Sequence, residues 1–163
     1  MKRMLCTALV LIAAASAGLL ARTYLASPLR IAGTSMQHTL MHNDIVLVTR
    51  FKGSPQFGDV VECRFPGRDA TYVKRVIGLP GDIIRFSEGT LTRNGALLSE
   101  PYVSSYTEDF SVVLGADQYL VLGDNRVESF DSRESDIGFI HSAEFSGRVF
   151  WILWPLDRFG PVN

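Results

Sequence analysis

Two hydrophobic regimes divide this chain. Residues 4–21 are apolar apart from Thr7 and Ser16, with Lys2 and Arg3 before them and Arg22 after them. Beyond residue 30, apolar residues come in short β-branched runs broken by Gly, Pro, Asn and Asp, the pattern of half-buried strands. These runs predict strands at 45–48, 60–65, 71–77, 82–86, 90–93, 96–98, 118–122 and 148–153. Residue chemistry specifies two of the turns between them. Asn94-Gly95 suits a two-residue hairpin, and Pro80-Gly81 suits a type II turn. Residues 142–145 predict one short helical turn. The expected fold is mainly β: a coiled antiparallel sheet, barrel-like, over residues 26–163, preceded by one helix over residues 1–25. Residues 24–30, which include Pro28, read as a short link between the two.

A helix of about 18 residues is ~27 Å long, close to the thickness of a bilayer core. The N-terminal segment therefore reads as a single transmembrane anchor, with the lipid bilayer as partner. A cleavable signal peptide is the alternative, because Ala15-Ser16-Ala17 is a small-x-small triplet. Leu19 and Leu20 carry the apolar run past that triplet and favour the anchor. Lys2 and Arg3 favour a cytoplasmic N-terminus, and Arg22 and Arg30 oppose it. With the N-terminus inside, the β domain lies on the extracytoplasmic side of the cytoplasmic membrane.

A length of 163 residues bounds the chain at one domain beyond the anchor. The 16 Lys and Arg nearly balance the 17 Asp and Glu, so no nucleic-acid footprint is present. Cys6 lies in the apolar run and Cys63 in a predicted strand, which argues against a disulfide between them. No Cys-x-x-Cys or zinc-ligand spacing occurs, so zinc is not expected.

The candidate chemistry centres on serine. A serine hydroxyl needs a base to become a nucleophile. His38, His42 and His141 come with no orienting carboxylate motif, and no Gly-x-Ser-x-Gly elbow surrounds any serine; they read as exposed loop residues. A neutral lysine is the other option. Its free pKa is about 10.4, and lowering it by about three units costs ~4 kcal/mol, which apolar burial supplies. Lys74 sits mid-strand among Val73, Val76 and Ile77. Period-two alternation puts Lys74 on the face of Tyr72 and Val76, and Arg75 on the opposite face toward water. From the residues alone, a solvated strand lysine and a turn serine are the plain alternatives. Asp124, Arg126, Asp131 and Arg133 read as an ion-paired loop that holds geometry.

Three segments taken together carry more. They are Gly33-Thr34-Ser35-Met36-Gln37-His38-Thr39-Leu40, Tyr72-Val73-Lys74-Arg75-Val76-Ile77-Gly78-Leu79-Pro80-Gly81-Asp82, and Gly123-Asp124-Asn125-Arg126-Val127-Glu128-Ser129-Phe130-Asp131-Ser132-Arg133. In this order they resemble the type I signal peptidases, the bacterial leader peptidases. The resemblance implies a membrane-bound serine endopeptidase that removes signal peptides from secretory preproteins after small-x-small sites, without a cofactor. It implies Ser35 as nucleophile, Lys74 as general base, Ser129 as a hydroxyl bonded to the lysine amine, and Asp131 with Arg133 as a supporting ion pair. Thr34 is the candidate second donor to the oxyanion, and Phe57 to Val61 with Tyr72 are candidates to line the cleft. His38 stands where the family has Pro, Asn43 where Gly is common, and Gly33 where some members carry Ser. A self-cleaving repressor-type peptidase would share the Ser-Lys pair but should carry a DNA-binding domain. A tethered β domain that only binds a partner is the non-enzymatic alternative.

Overall fold

The computed structural model describes Thr7 and residues 26–50, 53–103 and 108–163. The helix expected over residues 1–25 lies outside the described residues apart from Thr7. Among the described residues no helix is long and apolar enough to cross a membrane.

Among the described residues, eleven strands form two antiparallel sheets. The predicted runs appear as β2 (Ile45–Arg50), β3 (Val60–Arg64), β4 (Thr71–Gly78), β5 (Ile83–Ser87), β6 (Thr90–Arg93), β7 (Ala96–Leu97), β9 (Leu120–Leu122) and β10 (Phe145–Trp154). Three strands were not predicted: β1 (Ser27–Arg30), β8 (Phe110–Val113) and β11 (Gly160–Pro161). The larger sheet runs β1-β2-β10-β3-β4-β9 with β11 paired to β10; the smaller runs β7-β6-β5-β8.

The link expected at 24–30 is corrected by β1, in which Ser27 to Arg30 pair with Val48 to Ile45 of β2. Leu29 packs on the core from this strand, and Pro28 is tolerated because β1 is a sheet edge. The turn chemistry is realised as expected. Asn94 and Gly95 both have positive φ, at 53° and 83°. Gly81 has φ 86°, and the Asp82 N–H donates to the Leu79 carbonyl at 3.0 Å. Ser142–Glu144 form a single 3-10 turn.

Three apolar clusters hold the sheets. The first gathers Ile31, Met36, Leu40, Val46, Val48, Val60, Val149 and Ile152. Leu29 of β1 and Val73 of β4, from far-apart positions in the strand order, both pack against it. Strands far apart in the larger sheet thus share one core, in the mainly β, antiparallel architecture expected. The second cluster, with Val61, Cys63, Phe65, Val76 and Val121, covers the opposite face of β3 and β4. The third joins the sheets through Ile77, Ile84, Phe86, Leu114, Leu120 and Leu122.

Gly78 lies at that joint. A Cβ there would come within 2.5 Å of Leu114 Cδ1 and 3.1 Å of Ile84 Cγ1. Overpacking of this kind costs ~1–3 kcal/mol. Gly78→Ala is expected to lower the urea midpoint of unfolding accordingly, and a midpoint equal to wild type would contradict the packing described.

Candidate active site

Ser35 stands on a tight turn between β1 and β2. Met36 and Leu40 are 2% and 0% exposed and root the turn in the first core, with the Leu40 N–H donating to the Met36 carbonyl at 2.8 Å. That anchoring leaves Ser35 half-buried at the rim. Gly33 opens the turn with φ 100°, and Asn43 closes it with φ 74°, the conformation for which Asn substitutes for Gly.

Lys74 comes from β4, opposite Val61 of β3, and its neighbour in register is the Cys63–Tyr72 pair. Strand alternation places it on the second core, and it is 2% exposed. Its Nζ lies 2.7 Å from Ser35 Oγ. Burial pulls the amine from its ordinary 10.5 down to about 8. The Asp131 carboxylate opposes that fall, and the Arg133 cation adds to it. Desolvation wins because no carboxylate contacts the amine directly.

The loop 123–133 supports the serine. The Asn125 N–H donates to the Ser35 carbonyl at 3.0 Å, and Asn125 Nδ2 donates to the Thr34 carbonyl at 3.3 Å. Gly123 presses so closely on the turn that a Cβ there would overlap the Ser35 carbonyl oxygen and Ser129 Oγ. Asp131, fully buried, accepts the Gly123 N–H at 3.0 Å and pairs with Arg133 through two bonds of 2.8 and 2.9 Å. Burial would raise its carboxyl, but the Arg133 bonds outweigh that and hold it below the usual carboxylate range. Ser129 is 7% exposed; its Oγ makes no well-aligned hydrogen bond and leans on the Asp131 carboxylate, not on the lysine amine that the resemblance implies as its partner. Thr34 lies exposed beside Ser35, with its carbonyl accepting the Gln37 N–H at 3.1 Å.

The expectation for Arg75 is corrected. It faces away from Lys74 but not into water: it is 3% exposed and makes bonds of 2.9 and 2.8 Å to Asp124, which also accepts the Thr39 hydroxyl at 2.5 Å. Neither partner announced the other, because 49 positions separate them. The pair ties β4 to both the loop and the serine turn. The hydroxyl of Ser35 is bonded by Lys74 and by no histidine. His42 Nδ1 accepts the Gly33 N–H at 3.1 Å, His141 stands 3.9 Å from Asp117, and His38 is exposed.

A cavity of about 190 Å³ opens at Ser35 and Lys74, walled by Leu29 and Ile31 on one side and Tyr72 and Val73 on the other. Tyr72 lines it as expected; residues 57–61 do not. Val60 and Val61 are buried in the two cores, and Phe57 lies against Arg93.

A sequence profile of the family described as signal peptidase, peptidase S26, matches residues 1–154. The chain belongs to the signal peptidase S26 family. A probable signal peptidase I-2 of Synechocystis sp. is 37% identical over 152 residues, which cover 85% of this chain and 68% of that protein. A signal peptidase I of Bacillus licheniformis is 35% identical over 155 residues, covering 86% of this chain and 83% of that one. Among solved structures, a signal peptidase I from Enterococcus faecalis matches with a TM-score of 0.53 at 35% identity, over 59% of this chain and 97% of that chain. The S26 profile spans all three segments that carry the resemblance, from the serine turn to the loop 123–133.

The lowered amine has a measurable consequence for stability. Folded, the amine titrates at about 8, and its ordinary value is 10.5. The unfolded chain holds the proton more tightly, so Lys74 destabilises the fold by ~3 kcal/mol below the folded value. That cost fades as pH rises from about 8 to 10.5. Lys74→Met is expected to be the more stable protein at pH 7 in urea unfolding, with the gap narrowing toward pH 10. A gap independent of pH would show that the amine is not depressed.

Proposed function

We propose that this S26 peptidase removes signal peptides from secretory preproteins with Ser35 as nucleophile and Lys74 as general base. The observation that carries the reading is the 2.7 Å contact between Ser35 Oγ and a lysine Nζ that is 2% exposed. A neutral amine at that distance accepts the hydroxyl proton as Oγ attacks the scissile carbonyl carbon. The resulting oxyanion is held by backbone N–H of Ser35, with Thr34 beside it as the second donor. Lys74 then returns the proton to the leaving amine, and the C–N bond breaks. The amine that leaves is the N-terminus of the mature protein; water then attacks the acyl ester with Lys74 again as base, releasing the signal peptide as its carboxylic acid and restoring Ser35. Asp131 and Arg133 support the loop behind the nucleophile, and within that loop Ser129 packs against Gly123.

The shape of the cleft supports the substrate reading. On the side away from β3, β4 pairs with β9 only from Arg75 onward, so the edge of residues 71–74 is open to an extended chain. The small apolar cavity between β1 and that edge suits the small residues of a small-x-small site.

In this reading residues 1–25 form the single-pass anchor in the cytoplasmic membrane, and residues 26–163 form the extracytoplasmic peptidase domain. The surface supports a lipid partner. Trp154, Leu156 and Phe159 are 53%, 69% and 56% exposed at the end of β10. Trp154 lies opposite Ile45 of β2, whose other neighbour is Arg30 of β1, the strand that continues the N-terminal segment. An apolar patch of that kind marks an interaction surface.

The test is cleavage of a model preprotein with an Ala-x-Ala site by the full chain in detergent or vesicles. Ser35→Ala and Lys74→Ala are each expected to reduce turnover by more than ~10³-fold. The wild-type rate should rise with pH around a midpoint near 8, as Lys74 loses its proton. Activity retained by Lys74→Ala, or a midpoint near the free histidine value of about 6.5, would reject the lysine base.

A further inference from the structure

Two residues outside the motif segments reach both halves of the Ser35–Lys74 pair. Glu100 and Tyr102 follow β7 of the smaller sheet. The Glu100 carboxylate accepts from both terminal nitrogens of Arg126, at 3.2 and 2.5 Å. This pair is nearly dry, with side chains 9% and 1% exposed. Arg126 Nε in turn donates to the Gly123 carbonyl at 3.0 Å, and Gly123 is the residue pressed on the Ser35 carbonyl. Tyr102 works on the other half. Its hydroxyl donates to Glu100 Oε1 at 3.1 Å, and its ring lies under the Arg75 guanidinium, 3.9 Å from ring centre to Cζ. Arg75 follows Lys74 in β4 and grips Asp124.

We propose that Glu100 and Tyr102 are positioning residues for the reaction, a brace from the smaller sheet that sets the spacing of Ser35 and Lys74. The inference rests on the dyad reading above. Its physical basis is that a guanidinium buried to 1% keeps its place only while its charge is matched. Without the Glu100 charge, Arg126 swings toward water and releases the Gly123 carbonyl. Without the aromatic face, Arg75 loses a cation–π partner and loosens on Asp124. Neither residue lines the substrate cavity, so the effect falls on turnover and not on binding.

The experiment measures kcat and KM on the model preprotein for the full chain and for Glu100→Gln, Tyr102→Leu and Tyr102→Phe, with pH profiles and thermal midpoints. Glu100→Gln and Tyr102→Leu are expected to lower kcat by ~10-fold or more, as small misplacements of reacting groups do, with KM unchanged within about twofold. Tyr102→Phe keeps the ring and should lose far less. Tyr102→Leu should also move the kcat midpoint to higher pH. Asp124 already favours the charged Lys74 amine, and it does so more when Arg75 neutralises it less. A purely structural role gives a different result: activity lost in proportion to the unfolded fraction, regained on cooling, with the pH midpoint unmoved. That result, or wild-type kcat in both variants, would overturn the brace. Ser35→Ala separates the two ideas. If it still cleaves, the dyad reading fails; if it is inactive while Tyr102→Leu behaves as wild type, only the brace fails.

Discussion

An amine kept out of water beside a hydroxyl is the constraint on which this structure turns. Lysine is ordinarily a poor base at neutral pH because water stabilises its charged form. Here Val61, Cys63 and Tyr72 share its face of the sheet and deny it that hydration. The opposing charges, Asp131 and Asp124, would restore the proton, but each is already engaged by an arginine. Both carboxylates therefore spend their charge on guanidinium groups, and the amine is left to desolvation. The acid–base poise of the site is a property of the packing around it and not of any single contact.

Consecutive residues of β4 carry two different tasks because a strand presents alternate faces. Lys74 projects onto the second core and meets the serine; Arg75 projects onto the other face and pins Asp124 and Thr39. One strand thus fixes Lys74 and, through the opposite face, the loop and turn that carry Ser35. Buried ion pairs of this kind contribute little net stability, since desolvation offsets their attraction. Their value here is geometric. They allow the loop 123–133, which has no strand or helix of its own, to be held as firmly as regular structure.

Much of this was legible in the chain. The β-branched runs marked eight of the strands, because half-buried strands need alternation and turn residues and both are local properties. Asn94-Gly95 and Pro80-Gly81 announced their turns because their backbone angles are dictated by residue type. The strands that escaped were short or locally plain. Ser27 to Arg30 carries a proline and one useful apolar residue, and becomes a strand only because β2 offers an edge. The site divided in the same way. Ser35 and Lys74 could be found from local sequence and the resemblance those segments bear. The burial of Arg75, and the reach of Glu100 and Tyr102 into the site, depend on partners tens of residues away, for which no local pattern exists.

The shell that depresses the lysine acts in the opposite sense on the thiol it contains. Cys63 is wholly buried, and burial pushes its thiol up to about 12. Nucleophilic sulfur is thiolate sulfur, so this cysteine stays chemically silent although it neighbours the Lys74 amine. Alkylating reagents and mild oxidants should pass the folded enzyme by. The same dry pocket thus favours the neutral form of both groups, freeing the lysine lone pair and withholding the thiolate.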